Sequence, residues 1–452
     1  MLKEAWTLAI ETLSWMEMHK LSERLALAKT TKQLGIDNAD AVRLAHMLVC
    51  ETVRRQNFID AYINSVLKPK SISEFNFGIR AFLRLYVYQT RIAKNWAKID
   101  AKEAENIVGV TRSILGWKTL RKVEPFLGLL LTQNPRMVSE GLSDEERVGL
   151  TTFHPAWFVK YCFKLFGRSE ALKLLEANLQ PPPVYIRLNT LKAEENIILE
   201  KIAEEGIKTE KVKELKHTYK VVSVRRSLTR TKSFQEGLFY IQDKASCFAA
   251  EVANPKPEMT VLDVCAAPGA KTTYLAQLMQ NQGAIYSIDY SRRRIGVWKI
   301  ETARMGVEIA TPIIADACNP LPVTVEADLV VLDPPCTSTG AFGKAPSAKW
   351  RLTRRSIAKM AEIQWQMLNN CAEKVKHKGV LVYSTCSITA EENEMLIEKF
   401  LKWHTDFSLA AITPKMGVSG LRGMEKCRRL YPHMHGCNGF FIAKLLRSKH
   451  ER

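Results

Sequence analysis

The stretch TVLDVCAAPGAKTTYLAQLM, from Thr260 to Met279, decides the fold. Its opening TVLDVC is an apolar strand, AAPGA is a run of small residues around Pro268, and KTTYLAQLM has helical spacing, so the stretch reads as strand, tight loop and helix. A loop of small residues lets the backbone approach a ligand at the N-terminus of a helix. It is not the GxGxxG of a dinucleotide site. Ala266, Ala267 and Ala270 surround a single Gly269, which leaves less room for a pyrophosphate.

Working outward, the segments GAIYSID, PIIAD and DLVVLD end in Asp289, Asp316 and Asp333, and Asp289 lies 20 residues beyond Gly269, where a carboxylate takes ribose hydroxyls. One acid after a strand as readily caps a helix. Three at successive strand ends line one crevice and imply a ligand with ribose hydroxyls and amino groups but no need for phosphate. S-adenosylmethionine suits that description better than NAD. From the break at Asn254–Pro257 strands and helices alternate to the C-terminus, which predicts a parallel, doubly wound α/β sheet.

Upstream of that core the pattern changes twice. To about Thr132 the apolar spacing is helical, as in Val42, Leu44, Ala45, Leu48, Val49 and again Ile59, Tyr62, Ile63, Val66. Asn134–Glu146 is a polar linker ending in a capping box, Ser143 with Glu146, and a helical unit follows to Asn178. Pro181, Pro182 and Pro183 stop it, and VYIRLNT, KAEENIILEKIAEEG, KTEKV and YKVVSV read as strand, helix, strand, strand in a small α+β module. The segments are thus 1–132, 133–180, 181–254 and 255–452.

The composition fits several globular domains with their own cores: 452 residues, 46% apolar and 25% charged. Lys plus Arg is 66 against 47 acids, a net +19 that favours polyanions, nucleic acid first and anionic membrane second. No apolar run approaches a membrane span, and MLKEAWTLAIETL carries charges where a signal peptide excludes them, so a cytoplasmic protein is expected. The ten cysteines are scattered, without a CxxC pair, as reduced thiols are.

Two thiols stand apart from the rest. LDPPCTSTG and GVLVYSTCS place Cys336 and Cys386 just past the carboxyl ends of strands that are neighbours in this architecture, facing the cofactor crevice. A thiolate is nucleophilic and leaves well. It suits reversible addition to carbon-6 of a pyrimidine, which makes carbon-5 a nucleophile for a sulfonium methyl, while Asp333 bonds or protonates ring nitrogen-3. A Cys336–Cys386 disulfide is the competing reading. Cys50, Cys162, Cys247, Cys318 and Cys371 read as small buried hydrophobes, and Cys265 as packing or touching the ligand. Cys427, His433, His435 and Cys437 are the right types for zinc, but their spacing is irregular and no metal is expected.

VLDVCAAPGAKTTYLA, LDPPCTSTG, YSTCS and RLYPHMHGCNGFFIAKLL together resemble the Sun (Fmu-type) family of RNA 5-methylcytosine methyltransferases. The likeness extends upstream through FHPAWFVKYCFKLFG, QPPPVYIRLNT and YIQDKAS and covers roughly residues 143 to 447. It implies a Rossmann-like, S-adenosylmethionine-dependent core over 255–452 and an RRM-like subdomain over 181–254. RLAHMLVCETVRRQNFIDAYI and IRAFLRLYVYQ resemble a NusB-type domain, expected to bind RNA, over 1–132. The resemblance implies Cys386 as nucleophile and Cys336 as assisting product release, the reverse of DNA cytosine methyltransferases. It gives Cys265, Ala266, Ala267, Pro268, Gly269, Ala270, Lys271, Asp289, Arg294, Asp316 and Asp333 to the cofactor, with Lys271 also reaching the base. Two departures are Ala270, where most members have Gly, and PCTSTG in place of PCSGTG.

The expected partner is RNA, ribosomal or transfer, acted on by a monomer with no obligate protein partner and no membrane. Arg225, Arg226, Arg230 and Lys232 form one basic loop, and Lys344, Lys349, Arg351, Arg354 and Arg355 flank Trp350 after the Cys336 loop, where a phosphate backbone would pass. The target base must be unpaired or flipped out. A non-catalytic RNA-binding ribosome-assembly factor is the alternative, though a scaffold needs neither the acids nor the thiols. Methylation of an exocyclic amine would call for an aromatic where Cys336 stands.

Overall fold

The computed structural model describes residues 1–96 and 100–448, so three positions of the 1–132 segment and the last four of 255–452 lie outside the description. The chain forms two compact units, Met1–Gln180 with Phe342–Arg351, and Pro181–Ala341 with Leu352–Arg452.

The first unit is helical. Leu2–His19 is wrapped by Glu23–Leu34, Ala39–Arg54, Phe77–Val87 and Ala101–Leu115. Polar side chains set the starts: Ser22, Asn38, Asn76 and Asp100 each accept a backbone N–H of the first turn that the helix itself cannot satisfy. The apolar faces meet in a core that includes Trp6, Leu13, Leu48, Tyr62 and Phe82. The Ser143–Glu146 capping box opens Asp144–Thr151. Into this unit runs Phe342–Arg351, held by Ser347 donating to the Glu23 carboxylate and by Trp350 Nε1 donating to Val53 O at 2.6 Å. This corrects the expected basic run. Lys349 is fully buried, and burial with the nearby Arg54 and Arg55 pushes its amine well below the ordinary lysine value, so it presents no charge to a phosphate. Lys344, Arg351, Arg354 and Arg355 are exposed.

The second unit begins with β1 (Tyr185–Leu188), β2 (Ile207–Lys211), β3 (Thr218–Val224) and β4 (Phe239–Ile241), an antiparallel sheet in the order β2-β3-β1-β4. Helices Glu195–Glu204 and Lys232–Gln235 complete a βαββαβ unit over Ile186, Leu188, Ile198, Ile202 and Phe239. The next helix, Lys244–Ala253, packs instead on the main sheet, with Phe248 and Val252 in its core.

The main sheet contains β5 (Thr260–Val264), β6 (Ala284–Asp289), β7 (Ala310–Ile314), β8 (Ala327–Leu332) and β9 (Val375–Thr385), parallel in the order β7-β6-β5-β8-β9. Alternate residues feed two cores. Val261, Leu329 and Val382 face one side, while Leu262, Val330 and Leu381 face the other with Leu368 and Phe400 from covering helices. The alternation does not run to the C-terminus as expected. After helix Glu394–Trp403 the short strands β10 (Phe407–Leu409), β11 (Val418–Ser419) and β12 (Arg428–Leu430) and the eight-residue β13 (Phe440–Arg447) add antiparallel, because their connections carry no crossover helix. The strand order reverses between β5 and β8, and at such a point the carboxyl ends open a crevice. Among the described residues no helix is long and apolar enough to cross a membrane.

Candidate active site

The loop after β5 is shaped by backbone that few residues tolerate. Cys265 has φ of 65° and Gly269 a φ of 108° as it caps helix Ala270–Leu278. A Cβ on Gly269 would also stand 3.3 Å from the Trp298 ring. Ala266 N donates to Ile288 O at 3.0 Å, tying the loop to β6.

Asp289, at the end of β6, holds the same loop. Its Oδ2 accepts Ala267 N at 3.2 Å and pairs with Arg294 at 3.1 Å, its Oδ1 accepts Ser291 N at 3.1 Å, and Arg294 also donates to Ala267 O. Asp316 lies two residues past β7, exposed, and accepts Cys318 N at 3.0 Å in its own turn. Cys265 packs toward Met367, Sγ to Sδ 4.0 Å, and burial pushes its thiol well up.

Sequence reasoning missed Asp263, inside β5. It is buried, its Oδ2 accepts Thr272 Oγ1 at 2.5 Å, and Thr272 in turn accepts Trp298 Nε1 at 2.9 Å. Among the described residues its Oδ1 has no hydrogen-bond partner, and burial raises its pKa to about 7 against the smaller opposing effects of Thr272 and Lys271. The available signal was an acid inside an otherwise apolar strand.

The ends of β8 and β9 bring the expected catalytic residues together. Lys271 is buried and ion-paired with Asp333, whose other oxygen accepts Ser384 Oγ at 3.3 Å. Burial pushes the lysine down, but the Asp333 charge and hydrogen bond outweigh it and leave the ammonium stabilised. Cys336 and Cys386 are free thiols with sulfurs 3.1 Å apart, well beyond a disulfide bond of about 2.05 Å. The Cys336 S–H lowers the pKa of Cys386, burial opposes, and the Ser338 hydroxyl 3.5 Å away assists; Cys386 ends below the ordinary thiol value. The same hydrogen bond, with burial, raises Cys336 well above it.

Backbone packing fixes these two loops. Gly340 N donates to Cys386 O at 2.9 Å and Gly439 N to Gly340 O at 2.7 Å, and a Cβ on Gly340 would overlap Gly439 O. The structure thus gathers Asp263, Lys271, Asp333, Cys336 and Cys386 and leaves Asp316 on its separate turn. Cys162, Cys247 and Cys371 are buried, whereas Cys50 and Cys318 are only half-buried. Cys427 and Cys437 lie in different apolar clusters, and among the described residues no three His, Cys, Asp or Glu side chains are grouped as a metal requires.

Comparison with known proteins fits this geometry. The family described as 16S rRNA methyltransferase RsmB/F matches residues 250–446, and an RsmF/B-like ferredoxin-like domain matches 154–223. A probable ribosomal RNA small subunit methyltransferase B of Synechocystis sp. is 31% identical across 89% of this chain and 90% of its own. A tRNA (cytosine(72)-C(5))-methyltransferase of Pyrococcus horikoshii is 36% identical across 49% of this chain and 56% of its own. The crystal structure of PH0851 matches with a TM-score of 0.81 at 28% identity, covering 99% of both chains. NSun6 from Pyrococcus horikoshii, solved with the S-adenosylmethionine analogue SFG, matches with a TM-score of 0.61 at 26% identity, over 65% of this chain and 98% of that one.

Proposed function

The chain belongs to the RsmB/F family of RNA cytosine-C5 methyltransferases, and from that premise we propose that it makes 5-methylcytosine in ribosomal RNA through a transient bond from Cys386 to carbon-6 of the base. The observation that carries the proposal is the pair of thiols, 3.1 Å apart at the ends of adjacent parallel strands, with Cys386 the more acidic.

Cys386 is the sulfur prepared to attack, because its neighbour's S–H stabilises the thiolate. As the S–C6 bond forms, electron density moves through carbon-5 toward the ring nitrogens. The Lys271 ammonium, held by Asp333, supplies the donor at nitrogen-3, and Asp333 accepts from the base rather than protonating it alone. S-adenosylmethionine, when bound, supplies an electrophilic methyl group. The residues that would hold it are Cys265 to Lys271 with Asp289, Arg294, Asp316 and Asp333. They fit such a ligand: Gly269 and the alanines keep side chains out of the loop, and the carboxylate of Asp316 is exposed. Asp289 acts chiefly by shaping the loop. Once carbon-5 carries its new substituent, its proton passes to solvent water, the C5–C6 double bond re-forms, and the S–C6 bond breaks to release Cys386 as thiolate. Cys336 assists by donating its S–H as a hydrogen bond to the departing Cys386 thiolate, which stabilises the leaving group.

The exposed loop of Arg225, Arg226, Arg230 and Lys232 supports RNA as the substrate through phosphate contacts. The deciding experiment is Cys386→Ser with tritiated methyl donor and bulk RNA. Methyl incorporation should vanish while SFG binding persists, and undiminished incorporation removes Cys386 from the mechanism.

A further inference from the structure

Glu392 lies six residues beyond Cys386 and is fully buried, yet among the described residues its carboxylate accepts five hydrogen bonds, all from neutral donors. Its Oε1 accepts Thr337 N at 2.8 Å and Gln364 Nε2 at 2.9 Å. Its Oε2 accepts Ser387 Oγ at 2.5 Å, Thr389 Oγ1 at 2.8 Å and the hydroxyl of Thr337. Thr337 follows Cys336 in the chain and Ser387 follows Cys386. Gln364 also donates to Pro335 O at 2.9 Å, on the other side of Cys336. One carboxylate therefore grips the residues flanking both sulfurs.

Burying a carboxylate without a cation is costly, and loop closure alone does not require one. What only a carboxylate offers is acceptance at every lone pair. Thr337 N–H and three hydroxyl protons all point inward at it. A glutamine would set an NH₂ against some of those donors and force a loop to move.

We infer that Glu392 is a positioning residue of the methyl-transfer reaction, fixing the separation and aim of Cys336 and Cys386 by holding both thiol loops. The inference rests on the reading of Cys386 as nucleophile. Glu392 acts through its grip on the loops rather than through its charge, and the sign of one measurement separates the two. The groups facing Cys386 are Cys336 and Asp333 after β8, Lys271 from the helix after β5, and Glu392 itself. Removing only the Glu392 charge favours the Cys386 thiolate. Losing the aim of the Cys336 S–H disfavours it.

The test is iodoacetamide alkylation of Cys386 in the full chain across pH, mapped by mass spectrometry. Glu392→Gln should move the profile upward by about one pH unit, slowing alkylation about tenfold at neutral pH, with turnover falling at least as far and SFG binding within about twofold. Thr337→Val, which removes one of the five donors, should move it the same way by about threefold. A profile that stays or moves downward in Glu392→Gln overturns the inference, and should that variant not fold, an unmoved Thr337→Val profile does so. Alkylation reports thiol acidity whether or not Cys386 attacks a base, so failure here is distinct from failure of the Cys386→Ser experiment.

Discussion

Asp263 should make the second unit lose stability as the pH rises through the acid and neutral range, opposite to a salt-bridged carboxylate. Its pKa stands at about 7 against an ordinary 3.8, because burial dominates and the acids Asp333 and Asp289 add to it. At 1.36 kcal/mol per unit, the roughly three-unit difference amounts to about 4 kcal/mol. The sign follows from linkage: between the unfolded and folded pKa values the native state binds the extra proton, so unfolding free energy falls as protons are withdrawn. Below about pH 4 both states are protonated, above about pH 7 both are ionised, and the loss accrues between. Asp263→Asn has nearly the same shape and cannot titrate. Urea unfolding of wild type and variant at matched pH values isolates the effect. The difference, wild type minus Asp263→Asn, should become less favourable by about 2 to 3 kcal/mol between pH 5 and pH 8. A flat difference, or one rising with pH, would refute the assignment of a buried, proton-holding carboxylate.

Cys336→Ser should accumulate a covalent RNA complex, seen as a denaturant-resistant shifted band; normal turnover without that band would deny Cys336 its part in release. Gly340→Ala must displace Gly439 O and should cost about 1–3 kcal/mol in unfolding free energy, with at least a tenfold loss of turnover. Wild-type activity in that variant would show the contact to be dispensable. Glu394→Gln breaks the buried pair in which Arg429 meets Glu394 at 2.6 and 2.5 Å, and should destabilise by about 3–5 kcal/mol in urea unfolding. A change below about 1 kcal/mol would contradict the burial of that pair.

The features legible in the sequence are those written locally. Cys336 and Cys386 follow apolar strands within a few residues, so their place at one end of a parallel sheet follows from strand direction alone, and β8 does pair with β9. The loop around Gly269 is legible for the same reason. What escaped depends on distant partners. Lys349 sits in a basic run that looks solvated, and only the passage of Phe342–Arg351 into the helical unit buries it. Glu392 stands in the acidic stretch EENE, which gives no local sign of burial, and only the fold brings Thr337, 55 residues earlier, against it. Asp289 does end β6, but its oxygens accept from Ala267 and Ser291 and pair with Arg294, partners the sequence does not point to. The antiparallel strands after Trp403 were missed because β10, β11 and β12 have only two or three residues and carry almost no periodicity, while the direction of the longer β13 is set by its distant pairing with β9.

The contact between Gly340 and Gly439 gives the order of synthesis a meaning. Cys336 and Cys386 leave the ribosome well before Gly439 and β13, which lies against the strand carrying Cys386. A nascent chain stopped short of that last strand has both sulfurs but lacks the brace that sets one against the other. The brace on the two thiol loops is thus the last part of the arrangement to be synthesised, since Gly439 and β13 follow both sulfurs in the chain.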